Sequence, residues 1–329
     1  MIDTFFIALT PMLTLALCIL LGFFLRRFGI LPDNAGKVMA KLETWVFLPA
    51  LTFTTMVRYC TVDTLTVHGK NLLLSLFGVG IAILISTLLA RFFAKPGSKN
   101  YGVYLYALAF ANSGYMGDPL IISLFGNSVL SYYKVYCLPI SLMIYTWGIS
   151  RMIPADKSKG GAWRRIINPP TVTLLIGILA GICGLGKVMP VFISDALSKL
   201  GGCMGPVAML LAGFTIAGYS MLNMLKNKRI YAASLLRLTA IPAVIIGALF
   251  GIKSLLNLLF SFDIDNSVLF LTLFAVGTPL GLNTVVFPEA YGGDAELGAG
   301  MTLISHTLCI VTIPLMYAAM IALFGTPFA

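Results

Sequence analysis

An all-α integral membrane protein with ten spanning helices is the fold class predicted by three features of the sequence. These are apolar runs of membrane length, basic residues gathered in alternate loops, and a likeness between the two halves of the chain. The chain is 59% hydrophobic and 10% charged, with a mean hydropathy of +0.96, well above a soluble domain. A helix crossing a hydrocarbon core of ~30 Å needs about 20 mostly apolar residues. Such stretches lie near 5–25, 38–57, 71–93, 101–125, 129–150, 170–187, 194–222, 231–251, 267–290 and 297–324. No period-two alternation accompanies them, which argues against a barrel.

Span 1 has no basic residue before it and is followed by Arg26 and Arg27, the reverse of a cleavable signal peptide, so it is expected to remain in the protein. The six cysteines (Cys18, Cys60, Cys137, Cys183, Cys203 and Cys309) form no CxxC pair, and five lie inside apolar stretches, where cysteine packs as a small hydrophobe. Neither a metal site, a cofactor nor a disulfide framework is expected.

The net charge of +10 would suit nucleic acid, but its distribution points elsewhere. The loops after spans 1, 3, 5 and 7 hold fifteen of the 22 Lys and Arg: Arg26, Arg27, Lys37 and Lys41; Arg91, Lys95 and Lys99; Arg151, Lys157, Lys159, Arg164 and Arg165; Lys226, Lys228 and Arg229. By the positive-inside rule these loops are cytoplasmic and both termini extracytoplasmic. The expected location is the cell (inner) membrane, multi-pass, with the lipid bilayer as partner and no nucleic acid.

Self-similarity supports a repeat. Residues 11–42, "PMLTLALCILLGFFLRRFGILPDNAGKVMAKL", align with 170–200, "PTVTLLIGILAGICGLGKVMPVFISDALSKL", so that Pro11, Gly22, Pro32 and Lys41 meet Pro170, Gly181, Pro190 and Lys199. The offset covers five spans, an odd number, so the second copy enters the membrane from the other side. Residues 1–150 and 170–329 are thus expected to be two inverted five-helix repeats joined by a cytoplasmic linker, 151–169. Inverted repeats mark secondary transporters.

Spans 4 and 9 are expected to be broken. "FANSGYMGDPLIISLFGN" (110–127) and "GTPLGLNTVVFPEAYGG" (277–293) each carry Asn, Gly and Pro at mid-membrane depth. Such backbone is tolerated there only where protein or a water-lined cavity satisfies it. Asp118 before Pro119 and Thr278 before Pro279 read as an N-cap followed by proline at the first helical position. Two half-helices would start at these points, each offering free N–H groups and a partial positive charge to an anion.

The motifs "NSGYMGDPL" (112–120), "TPLGLNTVVFPEAYGGD" (278–294) and "LISHTLCIVTIP" (303–314), with "FLPAL" in span 2 and "GPVAMLLAG" in span 7, resemble the auxin efflux carrier family. That family includes bacterial permeases for malate and malonate, and its fold is similar to plant auxin exporters and bile-acid sodium symporters. The resemblance covers essentially the whole chain. It implies helices 1, 2, 6 and 7 as scaffold, 3–5 and 8–10 as transport domain, crossing helices 4 and 9, and elevator-type alternating access. It also implies that Asn112, Ser113, Gly114, Gly117, Asp118 and Pro119, with Thr278, Pro279 and Asn283, line a substrate site. The expected cargo is a small organic anion such as malate, malonate or an auxin-like acid, and a homodimer through the scaffold is a further implication. For each Asn, satisfying the broken backbone is the alternative role.

Two residues depart from the family pattern and are candidates for coupling. Asp118 stands where an apolar residue is usual. A charge at the bilayer centre costs ~2.5–3.5 kcal/mol, whereas capping contributes ~0.5–2 and the helix dipole up to ~2. This near balance would let the carboxyl take up a proton, so cap alone and cap with proton coupling both stand. His306, where Ser or Thr is usual, suits a relay or plain packing. Glu43 is read as snorkelling beside Lys41, and Lys134 after Tyr132 and Tyr133 as an interfacial anchor or an attractor of anions. Arg237 is read as reaching the interface or a buried carboxylate.

No GxSxG, HExxH or Walker loop is present, so an enzyme or ATP-driven pump is not expected. A sodium-coupled carrier of the bile-acid type and a non-transporting membrane sensor are the alternatives to a proton-coupled anion carrier.

Overall fold

The computed structural model describes residues 2–152, 167–261 and 264–328, so the central part of the 151–169 linker, residues 153–166, lies outside the described residues. The first half consists of α1 (Ile2–Arg27), α2 (Ala35–Leu42) running through a π turn (Glu43–Phe47) into α3 (Leu48–Tyr59), and α4 (Val62–Phe93). After these come α5 (Lys99–Ala109), a π turn (Ser113–Gly117) leading into α6 (Asp118–Phe125), α7 (Asn127–Tyr136), α8 (Leu138–Met143) and α9 (Ile149–Met152). The second half holds α10 (Pro169–Ile182), α11 (Val191–Ala217), α12 (Met221–Lys226), α13 (Lys228–Leu238), α14 (Ala240–Phe260), α15 (Ser267–Val276), α16 (Asn283–Tyr291) and α17 (Ala295–Phe324). Among the described residues the β content is a single bridge.

Among the described residues, four helices, at Val62–Phe93, Val191–Ala217, Lys228–Phe260 and Ala295–Phe324, are long and apolar enough to cross a membrane. The protein is a multi-pass membrane protein. α4 begins nine residues before the expected start of span 3, because Thr61 and Thr64 form a reciprocal capping box there. The helix expected over 231–251 is interrupted at Thr239, whose φ of −126° departs from the helical region. Three residues later Pro242 lacks the N–H that would bond back to this turn. Asn168 caps α10 by accepting from the Thr171 N–H at 3.0 Å.

Small residues set the closest helix contacts. α1 packs along α11, where Gly22 faces the Leu210 backbone and Gly213 faces the Ile19 backbone. Such close approach strengthens dispersion contacts where lipid supplies no hydrophobic drive between helices. α3 packs along α10, with Gly177 and Gly181 against the backbone of Phe53, Met56 and Cys60. α4 packs against α5, α7 and α14, and α15 packs against the π turn of the first break.

Candidate functional site

The two breaks meet. Phe110 is extended (φ −119°, ψ 134°) after α5 ends, and Ala111 pairs antiparallel with Leu280. The Asn112 N–H donates to the Pro279 carbonyl at 2.7 Å and the Gly281 N–H to the Phe110 carbonyl at 3.4 Å. Backbone groups released by one break are therefore satisfied by the other, as burial at this depth requires. Tyr133 of α7 braces the crossing: its hydroxyl lies 3.0 Å from the Ser113 carbonyl and 3.1 Å from the Phe274 carbonyl. Behind it, Arg237 donates to the Val276 carbonyl at 2.5 Å. The guanidinium thus sits at the negative end of α15.

The half-helices start elsewhere than at Asp118 and Thr278. Asn112 occupies the N-cap position of the first, its carbonyl accepting from Met116 and Gly117 at 3.1 and 3.2 Å. Asp118 already has helical angles (φ −57°, ψ −53°), so the N-cap reading is corrected. Pro119 lies inside the helical run, and the wider π turn before it accommodates its ring. Thr278 and Pro279 belong to the non-helical crossing segment, and the second half-helix starts at Asn283. There the missing proline N–H costs nothing while its carbonyl serves Asn112.

Asp118 instead pairs with Lys134 across the α6–α7 hairpin. The turn at Gly126 (φ 81°) allows the tight reversal, and the two charged residues lie eight positions on either side of it. Their side chains are 22% and 13% exposed respectively. The lysine read from sequence as an interfacial anchor or an attractor of anions is the counter-ion of the aspartate, and the pair lowers the cost of an isolated charge at this depth.

Two cavities adjoin this pair. A wide vestibule of about 900 Å³ opens at the end of the molecule that carries Arg58, Asp63 and Lys187. An inner cavity of about 80 Å³, with room for several waters, reaches the crossing. Leu51, Thr55, Asp118 and Lys134 line both, so they form the neck between them. Asn112, Ser113, Gly114, Tyr115 and Asn283 also line the inner cavity. Asn283 Nδ2 donates to the Tyr106 hydroxyl at 2.8 Å. Asn112 Nδ2, Asn283 Oδ1 and the Tyr115 hydroxyl are buried without a partner among the described residues.

Gly117, Pro119, Thr278 and Pro279 hold the crossing but are absent from the cavity lining. His306, on α17, is also outside it: its Nδ1 lies 2.8 Å from the Thr302 carbonyl, one turn back on its own helix. Thr52, Thr55, Tyr106, Ser141 and Tyr145 are among the lining residues that sequence reasoning missed.

The residues 7–162 and 159–317 each match a family model described as a membrane transport protein. The chain belongs to that family, the auxin efflux carriers. Curated relatives of this family agree. An uncharacterized transporter of Methanocaldococcus jannaschii is 23% identical over 321 residues, covering 94% of this chain and 97% of its own. An uncharacterized transporter of Methanothermobacter thermautotrophicus is 26% identical over 212 residues, covering 62% of this chain and 66% of its own.

Proposed function

We propose that the protein is a secondary active carrier of small organic anions, coupled to protons and working by elevator-type alternating access. The observation that carries this reading is the Asp118–Lys134 pair at the neck between a wide vestibule and the crossing. A carboxylate entering from the vestibule meets a lysine whose positive charge is held by a carboxylate of the protein itself. Protonation of Asp118 releases Lys134 to the substrate, and deprotonation returns the lysine to Asp118 and displaces the anion. Asn112 and Asn283 offer an amide donor and an acceptor oxygen on the inner side of the neck. Malate, malonate and auxin-like acids all present the carboxylate this arrangement needs. A sodium site is less well supported, because the carboxylate near the crossing is already paired with an ammonium group.

On this reading the cytoplasm lies at the basic loops, the vestibule faces outward, and the protein resides in the cell membrane. The order of elements supports inverted repeats: in each half a long helix (Val62–Phe93, Lys228–Phe260) precedes a broken span. α1, α3, α10 and α11 would form the scaffold, and the elements around the crossing the moving body. Purified protein in proteoliposomes is expected to move labelled malate, malonate or indole acetate saturably under an imposed pH gradient. Movement driven equally by a sodium gradient at uniform pH would contradict proton coupling. No movement of any of the three under either gradient would overturn the anion reading.

A further inference from the structure

Glu43 is a second acidic group with no place in the neck. It opens the π turn Glu43–Phe47, is fully buried, and neither of its oxygens has a partner among the described residues. Snorkelling beside Lys41 is thereby excluded, since Lys41 is exposed and the carboxyl points inward. π turns widen a helix by one residue and recur at functional positions. This one packs against α10, α11 and α16.

The groups that face Glu43 from these elements can be named. On α11, Asp195, Lys199 and Cys203 are exposed. α10 carries no charged residue. On α16, the Glu289 carboxyl lies against Gly36 of α2, with a contact of 3.2 Å to an ideal Cβ built there. On α2 and α3, Lys37, Lys41 and Arg58 are exposed. Tyr115 lines the inner cavity with Asp118, and its hydroxyl is buried and unpartnered among the described residues. Its ring rests on Gly205 of α11, 3.1 Å from an ideal Cβ.

We propose that Glu43 is a second proton-binding site of the carrier, on the cytoplasmic side of the crossing. It holds a proton in the conformation described and gives it to cytoplasmic water when α16 and the crossing move off the π turn. In that step the Oε–H bond breaks, the proton passes to water, and the electron pair stays on the carboxylate, which is then hydrated. An unpaired carboxylate in the closed, dry position would carry an uncompensated desolvation cost, which the proton removes. The inference rests on the reading of the protein as a proton-coupled carrier.

The test has two arms. Infrared difference spectra of protein in lipid, without substrate, read the C=O stretch of a protonated carboxyl. At neutral pH the band is expected in the wild type, lost in Glu43→Gln and retained in Asp118→Asn. A wild type without the band, or a band unchanged in Glu43→Gln, would overturn the proposal. In the second arm, accumulation of labelled malonate under a pH gradient is expected to fall in Glu43→Gln to the level of empty liposomes, while malonate counterflow persists. Accumulation equal to wild type would overturn the coupling role and leave the carrier reading intact. A wild type that fails to move malonate would count against that carrier reading for malonate, and the infrared arm would still decide the state of Glu43.

Discussion

Lys134→Met is expected to lower the apparent affinity of the carrier for a carboxylate by roughly ten- to 100-fold. Hydrogen bonds to charged groups contribute about 1.5–3 kcal/mol, and 1.4 kcal/mol is a factor of ten. Methionine keeps the length and apolar stem of lysine but removes the ammonium group at the neck. It also leaves Asp118 without a counter-ion in a mostly buried position, so Lys134→Met combined with Asp118→Asn is the control that removes this second penalty. The double variant is expected to fold as stably as the wild type, yet to bind malate as weakly as Lys134→Met alone. Labelled malate uptake over a concentration series checks the first part, and thermal denaturation in detergent checks the second. Wild-type affinity in Lys134→Met would show that the lysine does not meet the substrate.

Gly117→Ala is expected to destabilise the crossing by about 1–3 kcal/mol, the usual cost of overpacking. A methyl group there would collide with the Tyr133 hydroxyl and lie 3.2 Å from an ideal Cβ to the Phe274 carbonyl. Both atoms belong to the brace that joins the two breaks. Gly114→Ala, three residues earlier in the same turn, is the contrast, because nothing lies within 4 Å of the added Cβ. Denaturation temperatures of the two purified variants should therefore diverge, with Gly117→Ala the lower. Equal temperatures would mean that the brace is not tightly packed.

The breaks themselves were legible in the sequence. Asn, Gly and Pro crowd into 110–119 and 277–283 at a depth where an unbroken helix would be expected, and these are the segments that pair. Their detail was not legible, because a proline marks either a helix start or a place where no N–H is needed. Pro119 lies within a helical run opened by a π turn, and Pro279 in a non-helical segment. Hydropathy gives the depth of a charge but not its neighbours. Arg237 therefore read as reaching an interface or a carboxylate, whereas its partner is the Val276 carbonyl. Glu43 read as snorkelling for the same reason. The Asp118–Lys134 pair left one trace that could have been used: the two residues are equidistant from Gly126, a residue suited to the turn of a helical hairpin.

Proton coupling through Asp118 is tested most directly by comparing wild type and Asp118→Asn in proteoliposomes loaded for malate uptake with and without a pH gradient. Asparagine fills nearly the same volume as aspartate and cannot titrate. The expected result is that the gradient drives accumulation in the wild type, while whatever malate movement remains in Asp118→Asn is the same with and without it. Full dependence on the pH gradient in Asp118→Asn would contradict proton coupling at this residue.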